Sequence, residues 1–497
     1  MRFIAHNCYS IAIAITLIFF GICPSVAEDR LPNIVLILAD DLGYGDLPAF
    51  FPKSIYRTPN IDRLVAQGTK YTAFYVSQPV CTASRASLMS GCYANRIGLA
   101  GALNHTSPEG INPEEELLPE LLKAKGYATA IFGKWHLGMP PHFSPLKNGF
   151  DEWLGIPYSN DNSKYHPVLA AKMPPLPLYD GDKIVETDPD QSQFTRRFTE
   201  RAVSFIERHQ NKPFFLYMPQ VMPHVPIFAS DKFRGKSAGG PYGDVIEEMD
   251  WSVGQITDTI DRLGLAENTL IIFTSDNGPF LSYGSHAGSA GPFRGGKLTT
   301  FEGGVRVPAI MRWKGRIKEG QVCNEPFMTI DLLPTFCKIS NSTMPKQKID
   351  GVDISRILFQ EQLSPDKSHR PLFFYSGDEL QAIRMGRWKL HFDHSFLVVN
   401  GETRTDGKPA GFDQLSPQSI NNSSIDGIAS RHGYKIEKLP VSLFDLENDP
   451  AESRNVVNDH PEITRQIKEI AAALRAQLGD RLMQVKGSEM RPAGMTP

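Results

Sequence analysis

Cys81 sits in a run of small residues, Val80-Cys81-Thr82-Ala83-Ser84-Arg85-Ala86-Ser87, with an arginine four positions after it. If a helix begins at Cys81, Arg85 falls one turn further along the same face. The helix N-terminus and the guanidinium then both favour negative charge at the Cys81 side chain. A nucleophile that attacks an anion needs such a setting. Taken alone, the segment reads more readily as a small buried cysteine on an Ala/Ser helix. The weight therefore falls on residues elsewhere in the chain.

Asp40-Asp41 and Asp276-Asn277 are pairs of hard oxygen donors, which suit Ca²⁺ or Mg²⁺ and not zinc. Each pair alone also reads as a turn, the first ahead of Leu42-Gly43-Tyr44-Gly45 and the second ahead of Gly278. Lys134 and His136, two apart, project to one side of an extended segment. A fixed charge and a group that shuttles protons near neutral pH are thereby paired. His224 lies in Pro223-His224-Val225-Pro226, where prolines stiffen the loop. Lys297 ends Gly291-Pro292-Phe293-Arg294-Gly295-Gly296-Lys297, nearly a phosphate-binding loop. The next residue, Leu298, has no hydroxyl for a magnesium ion, and no apolar strand precedes the loop, so a nucleotide site is excluded.

The elements that must position these residues share one pattern. Apolar, β-branched runs at 33–39, 128–132, 214–218 and 269–273 each end abruptly in polar residues. Continuous runs of that kind read as strands buried on both faces. Between them lie helical patterns: 117–125 stops at Gly126, and Val245, Met249, Val253, Ile256 and Ile260 recur at helical spacing before Gly264. The alternation implies an α/β fold, a large, mostly parallel or mixed sheet with helices on both faces. In such sheets ligands bind beyond the carboxyl ends of the strands, so the polar clusters should converge on one edge. From Pro371 the pattern changes to short strands with turns at Gly377 and Gly386, then a polar stretch, 400–437, read as a loop or insertion. A last amphipathic helix starts near Pro461. Residues 371–497 are thus expected to form a smaller antiparallel sheet with a helix, after a larger domain spanning 28–370.

The 497 residues carry a net charge of −3, which argues against a nucleic-acid partner. Arg2, the apolar run 11–22 and Ser25-Val26-Ala27 read as a cleavable export signal over 1–27. No other run is long enough to span a membrane. The protein is expected to be exported, periplasmic or extracellular in a bacterium and secretory or lysosomal in a eukaryote. Beyond that segment only Cys81, Cys92, Cys323 and Cys337 remain, too few for a disulfide scaffold, and their pairing is left open.

The segment Cys81 to Arg85 resembles the sulfatase signature, in which the cysteine is oxidised to formylglycine; Ala83 stands where the usual form has proline. Gly133-Lys134-Trp135-His136-Leu137-Gly138, Asp276-Asn277-Gly278 and the Lys297 context through Glu302-Gly303-Gly304-Val305-Arg306 resemble further sulfatase segments. The chain looks most like the arylsulfatase A and N-acetylgalactosamine-6-sulfatase group of the alkaline phosphatase superfamily. The resemblance implies a sulfuric ester hydrolase acting on a sulfated saccharide or aryl sulfate. It implies a divalent ion, calcium with magnesium the alternative, held by Asp40, Asp41, Asp276, Asn277 and the formylglycine at position 81. It implies that Lys134 and Lys297 hold sulfate and that Arg85 stabilises charge. His136 would accept the proton when the hydrate collapses, and His224 would bind sulfate and protonate the leaving oxygen. Ser159 is implied as a further sulfate contact. A maturase, oxygen-dependent or radical, would act on Cys81. The pocket rim is expected from 158–166, 230–242 and the polar C-terminal stretch. Two rivals remain on the same fold: a phosphoester hydrolase, which more often uses Ser or Thr with two zinc ions, and a non-catalytic binder of sulfated glycans.

Overall fold

A computed structural model describes residues 30–360, 370–417 and 419–497. The export signal expected at 1–27 lies outside the described residues. Leu31–Pro497 forms one compact unit. Its centre is an eleven-stranded sheet. The strands Thr269–Ser275, Asn33–Ala39, Phe214–Pro219, Ala128–Lys134 and Glu152–Ile156 lie side by side and parallel. Arg306–Arg312 runs antiparallel to Thr269–Ser275 and also to Thr69–Tyr75. Two reversals restore direction, so Thr69–Tyr75 points the same way as the five parallel strands.

Both faces of the sheet are covered, as the apolar runs predict. In Asn33–Ala39, Ile34, Leu36 and Leu38 enter one core, and Val35, Ile37 and Ala39 enter the other. This follows from the two-residue alternation of a strand. Pro59–Ala66, Phe194–His209 and Gly240–Arg262 pack on the Val35 side, and Cys81–Ser90, Leu118–Ala124 and Leu332–Ser340 on the Ile34 side.

After residue 370 a four-stranded antiparallel sheet forms from Leu372–Ser376, Glu379–Met385, Trp388–His391 and Ser442–Asp445, joined by the helix Pro461–Leu478. The expectation of a loop over 400–437 needs correction. This stretch contains the helix Ile425–His432 and most of the strand Tyr434–Leu439, which pairs with His394–Val399. Ser424 Oγ caps the helix by accepting from Gly427 N (3.1 Å), and Gly433 ends it at φ 68°. Its few apolar residues, Ile425, Ile428 and Ala429, face a small separate cluster. Polar composition hid a short element that needs little core. Among the described residues all four cysteines are unpaired thiols, and no helix is long and apolar enough to cross a membrane.

A fully buried charge network ties the C-terminal sheet to the central one. Lys389 Nζ lies 2.9 Å from Glu302 and 3.1 Å from Glu452, while Tyr75 Oη donates to Glu302 (2.6 Å) and His391 lies 2.8 Å from Glu452. Lys389→Met would remove the cation shared by two buried carboxylates, and breaking a buried pair from one side typically costs about 3–5 kcal/mol. Denaturant unfolding should show a loss of that order. A change below about 1 kcal/mol would mean the network contributes little.

Candidate active site

Six strands present their carboxyl ends on one edge, and every candidate residue but one follows from one of those ends. Asp40 and Asp41 follow Asn33–Ala39, and Cys81 opens the helix reached from Thr69–Tyr75. Lys134 ends its own strand, with His136 just beyond it. Ser159, His224 and Asp276-Asn277 follow their strands. Lys297 arrives from the opposite direction, on the loop leading into the antiparallel strand Arg306–Arg312. All these side chains are buried.

The approach is held by unusual backbone. Gly133 sits at φ 135°, where a Cβ would lie 1.8 Å from the Pro219 carbonyl oxygen, so two strand ends touch just before Lys134. Asp41, His136 and Leu298 take positive φ of 67°, 64° and 73°. Such angles are costly for residues with a Cβ and concentrate at functional sites. The helix Cys81–Ser90 is buried throughout and ends at Gly91 with φ 68°.

Opposite charges interlock at the centre. Lys134 Nζ is 2.6 Å from Asp40 Oδ2, and Lys297 Nζ is 2.8 Å from Asp41 Oδ1 and 3.2 Å from Cys81 Sγ. The Cys81 thiol faces Asp40 Oδ1 at 3.4 Å. Arg85 donates from Nε to Asp276 (3.0 Å) and from Nη1 to the Lys134 carbonyl (3.0 Å), and its Nη2 lies 3.4 Å from Asp40. Asp276 accepts from the Asp41 backbone N–H (3.1 Å), and Asn277 Nδ2 donates to Asp41 Oδ1 (2.7 Å). His224 Nε2 lies 3.6 Å from Asp41 and 3.4 Å from Ser159 Oγ. Ligand atoms of Asp40, Asp41, Cys81 and His224 all fall within 4.8 Å of one another. Asp276 and Asn277 adjoin this group through Asp41.

The expectation that the surroundings favour negative charge at Cys81 is not met by the thiol itself. Burial pushes its pKa well up and the Asp40 carboxylate adds to this, against Lys134 and Lys297. Arg85 is directed at Asp40 and Asp276, not at the sulfur. The cysteine as synthesised is therefore held as a neutral thiol. Burial would also raise Asp40, but Lys134, Arg85, His224 and Lys297 outweigh it and hold that carboxylate well below its ordinary range. Burial raises Asp276, and the neighbouring Asp40 charge adds to it.

The two histidines are oriented by backbone carbonyls. His136 Nε2 is 2.8 Å from the Leu103 carbonyl, which can only accept, so the ring proton resides on Nε2. Its Nδ1 lone pair is buried without a partner. Burial, Lys134 and Arg85 together hold His136 neutral, with a pKa well below the usual value. His224 donates from Nδ1 to the Val225 carbonyl, which leaves Nε2 facing the pocket. Burial and Lys297 lower its pKa as well.

The donor set fits a hard divalent cation. Three buried carboxylates supply oxygen, and Asn277 Oδ1 is buried with no hydrogen-bond partner, an amide oxygen left over for a ligand bond. Sequence reasoning did not single out the residues behind His224. Asp161 and His166 fell inside the expected rim without being named, and His432 lay in the stretch read as loop. A polar run directly after a strand end, Ser159-Asn160-Asp161-Asn162-Ser163, was the available signal.

Carboxylates, cations and proton-carrying imidazoles gathered at the carboxyl edge of a doubly covered sheet define a hydrolase of anionic esters. The family model described as Sulfatase matches residues 32–342, and that for the C-terminal region of aryl-sulfatase matches 367–493. N-acetylgalactosamine-6-sulfatase of Canis lupus familiaris is 40% identical over 444 residues, covering 85% of this chain and 81% of that protein. Arylsulfatase A of Homo sapiens is 36% identical over 488 residues, covering 93% and 91%. Among solved structures, the PsFucS1 sulfatase from Pseudoalteromonas sp. superposes with a TM-score of 0.75 at 27% identity, covering 94% of this chain and 92% of that one. The chain belongs to the sulfatase family, and it is a sulfatase enzyme.

Proposed function

We propose that this enzyme releases inorganic sulfate from a sulfated saccharide, or from an aryl sulfate, through a formylglycine made from Cys81, with one calcium ion in the carboxylate pocket. The observation that carries the reading is the joint approach of Cys81, Lys297, Asp40, Asp41 and His224 within one buried pocket. Magnesium is the alternative ion. As a hydrated aldehyde, residue 81 supplies one hydroxyl to attack sulfur and a second to expel sulfate. A bound ion would polarise the sulfate and favour the ionised hydroxyl. Asp40, Asp41, Asp276 and Asn277 would hold that ion.

The chain's own residues do the rest. Lys134 and Lys297, with Arg85 behind the carboxylates, offset charge on the sulfate oxygens in a water-poor pocket, where fixed charges act strongly. Ser159 Oγ adds a neutral sulfate contact beside His224. His224, as the imidazolium that keeps Nδ1–H on the Val225 carbonyl, would give its Nε2 proton to the departing alcohol oxygen. His136 Nδ1 takes the proton from the hydroxyl retained at residue 81. Cys81 is 2% exposed, so the maturase, oxygen-dependent or radical, meets this segment before the fold encloses it. An export signal at 1–27, an exported destination, and a catalytic region to 370 followed by a smaller C-terminal one complete the reading.

Mass spectrometry of the peptide spanning Cys81 tests activation: the aldehyde is expected, and an active enzyme with an intact thiol rejects the reading. Sulfate release from sugars such as N-acetylgalactosamine 6-sulfate, the group in the relatives' name, tests the reaction against the matched phosphate ester. Prolonged chelation should lower kcat at least 100-fold, with recovery on adding calcium. Full activity in metal-stripped protein, verified by elemental analysis, would remove the ion from the scheme.

A further inference from the structure

Behind the sulfate pocket lies a second polar group that the proposed reaction does not use. Asp161 is two residues beyond Ser159, so their Cα atoms are at most about 7 Å apart. Asp161 accepts a hydrogen bond from Asn162 Nδ2 (2.9 Å) and keeps lone pairs for more. His166 Nδ1 accepts the backbone N–H groups of Val168 (3.1 Å) and Leu169 (3.0 Å). Its ring proton is therefore on Nε2, and that buried N–H has no acceptor. His432, at the end of the helix Ile425–His432, lies across from it with ring centroids 6.5 Å apart, and its Nδ1 is 2.9 Å from Tyr283 Oη. The Phe280 ring touches both groups of residues: it is 5.0 Å from the His432 ring, 6.1 Å from the His224 ring and 4.7 Å from Lys297 Nζ.

We infer that Asp161, His166 and His432 form the subsite for the sugar ring bearing the sulfate, and that they select an uncharged ring through one of its hydroxyls. The inference rests on the sulfatase reading above. A hydroxyl both donates and accepts, so one group can donate to Asp161 while accepting the orphaned His166 Nε2–H. A uronate carboxylate or a second sulfate only accepts, and would face the Asp161 charge; His224 and His166 favour that ionised form against the burial that opposes it. Phe280 lies against both His224 and His432, which assigns the hydroxyl to the ring that carries the ester. Neutral hexoses and N-acetylhexosamines fit, and sulfated uronates and doubly sulfated rings do not.

The test uses enzyme with the aldehyde at residue 81 verified. First, kcat/KM is measured on singly sulfated neutral sugars, a sulfated uronate, a doubly sulfated sugar and an aryl sulfate. Next come the singly deoxygenated analogues of the best sugar. Wild type should favour a neutral sugar and lose at least 30-fold on one deoxy analogue. Asp161→Asn and His166→Ala should lose at least 30-fold on the parent sugar yet little more on that analogue, because the same contact is removed twice. Penalties that multiply in full for every analogue would assign these residues a merely structural role and overturn the inference. So would a wild type that tolerates every deoxy analogue within threefold, a result that requires no variant to fold. An enzyme cleaving aryl sulfate but no sugar would overturn the subsite and leave the reaction standing. Loss of all sulfate release would reject the reaction, and the subsite with it.

Discussion

A Cys81→Ser enzyme is expected to free at most one equivalent of alcohol per molecule and then stop, with kcat down by roughly 10⁵-fold or more, the scale lost when an enzyme's nucleophile is removed. A serine hydroxyl at this place still faces Lys297 and Asp40 and can take a sulfuryl group from the ester. It lacks the second oxygen on the same carbon whose lone pair would expel sulfate. The product is a stalled ester, heavier by one sulfuryl group. Intact-mass measurement should find it, and ion chromatography should find no free sulfate. The unmodified thiol is no substitute either, because its carbon likewise carries no second oxygen to expel sulfate. Multiple turnovers by a variant verified to carry an ordinary serine would reject the two-oxygen scheme.

That pocket could be assembled on paper because strand ends are legible. Asn33–Ala39 and Thr269–Ser275 are unbroken apolar runs that stop at carboxylates, and buried parallel strands leave few alternatives for where such ends go. The helix at Cys81 was legible as a possibility from its run of small residues. The electrostatic state of Cys81 was not. It depends on Asp40, forty-one positions away, and on full burial, neither of which the local sequence carries. Nor was the helix Ile425–His432 legible, since a two-turn element against a small cluster needs only three or four apolar residues in a polar stretch. His432 and His166, far apart in the chain, come together only in the fold. Candidate positions were readable where a polar cluster follows a strand end, and unreadable where separate loops build a surface together.

The same geometry gives a physical ground for the different roles that the resemblance implies for the two histidines. His136→Ala should leave the first half of the reaction largely intact and slow the second. The Leu103 carbonyl fixes the proton on Nε2, so the Nδ1 lone pair is the one available as a base. General-base removal typically costs about 10²–10⁴-fold. Rapid mixing should therefore show a burst of alcohol equal to the enzyme concentration, followed by slow sulfate release. His224→Ala should abolish the burst instead, since on the proposed scheme its protonated ring supplies the leaving oxygen's proton from Nε2. The sign of the pH effect follows from the lowered pKa of His136. A base is active above its pKa, and burial with Lys134 and Arg85 holds that value well below 6.5. Sulfate release by the wild type should therefore persist as pH falls from 6.5 toward 5, where an unperturbed imidazole would be mostly protonated. A loss of release centred near pH 6.5, absent in His136→Ala, would show that the ring titrates normally and cannot be the base held ready by its neighbours.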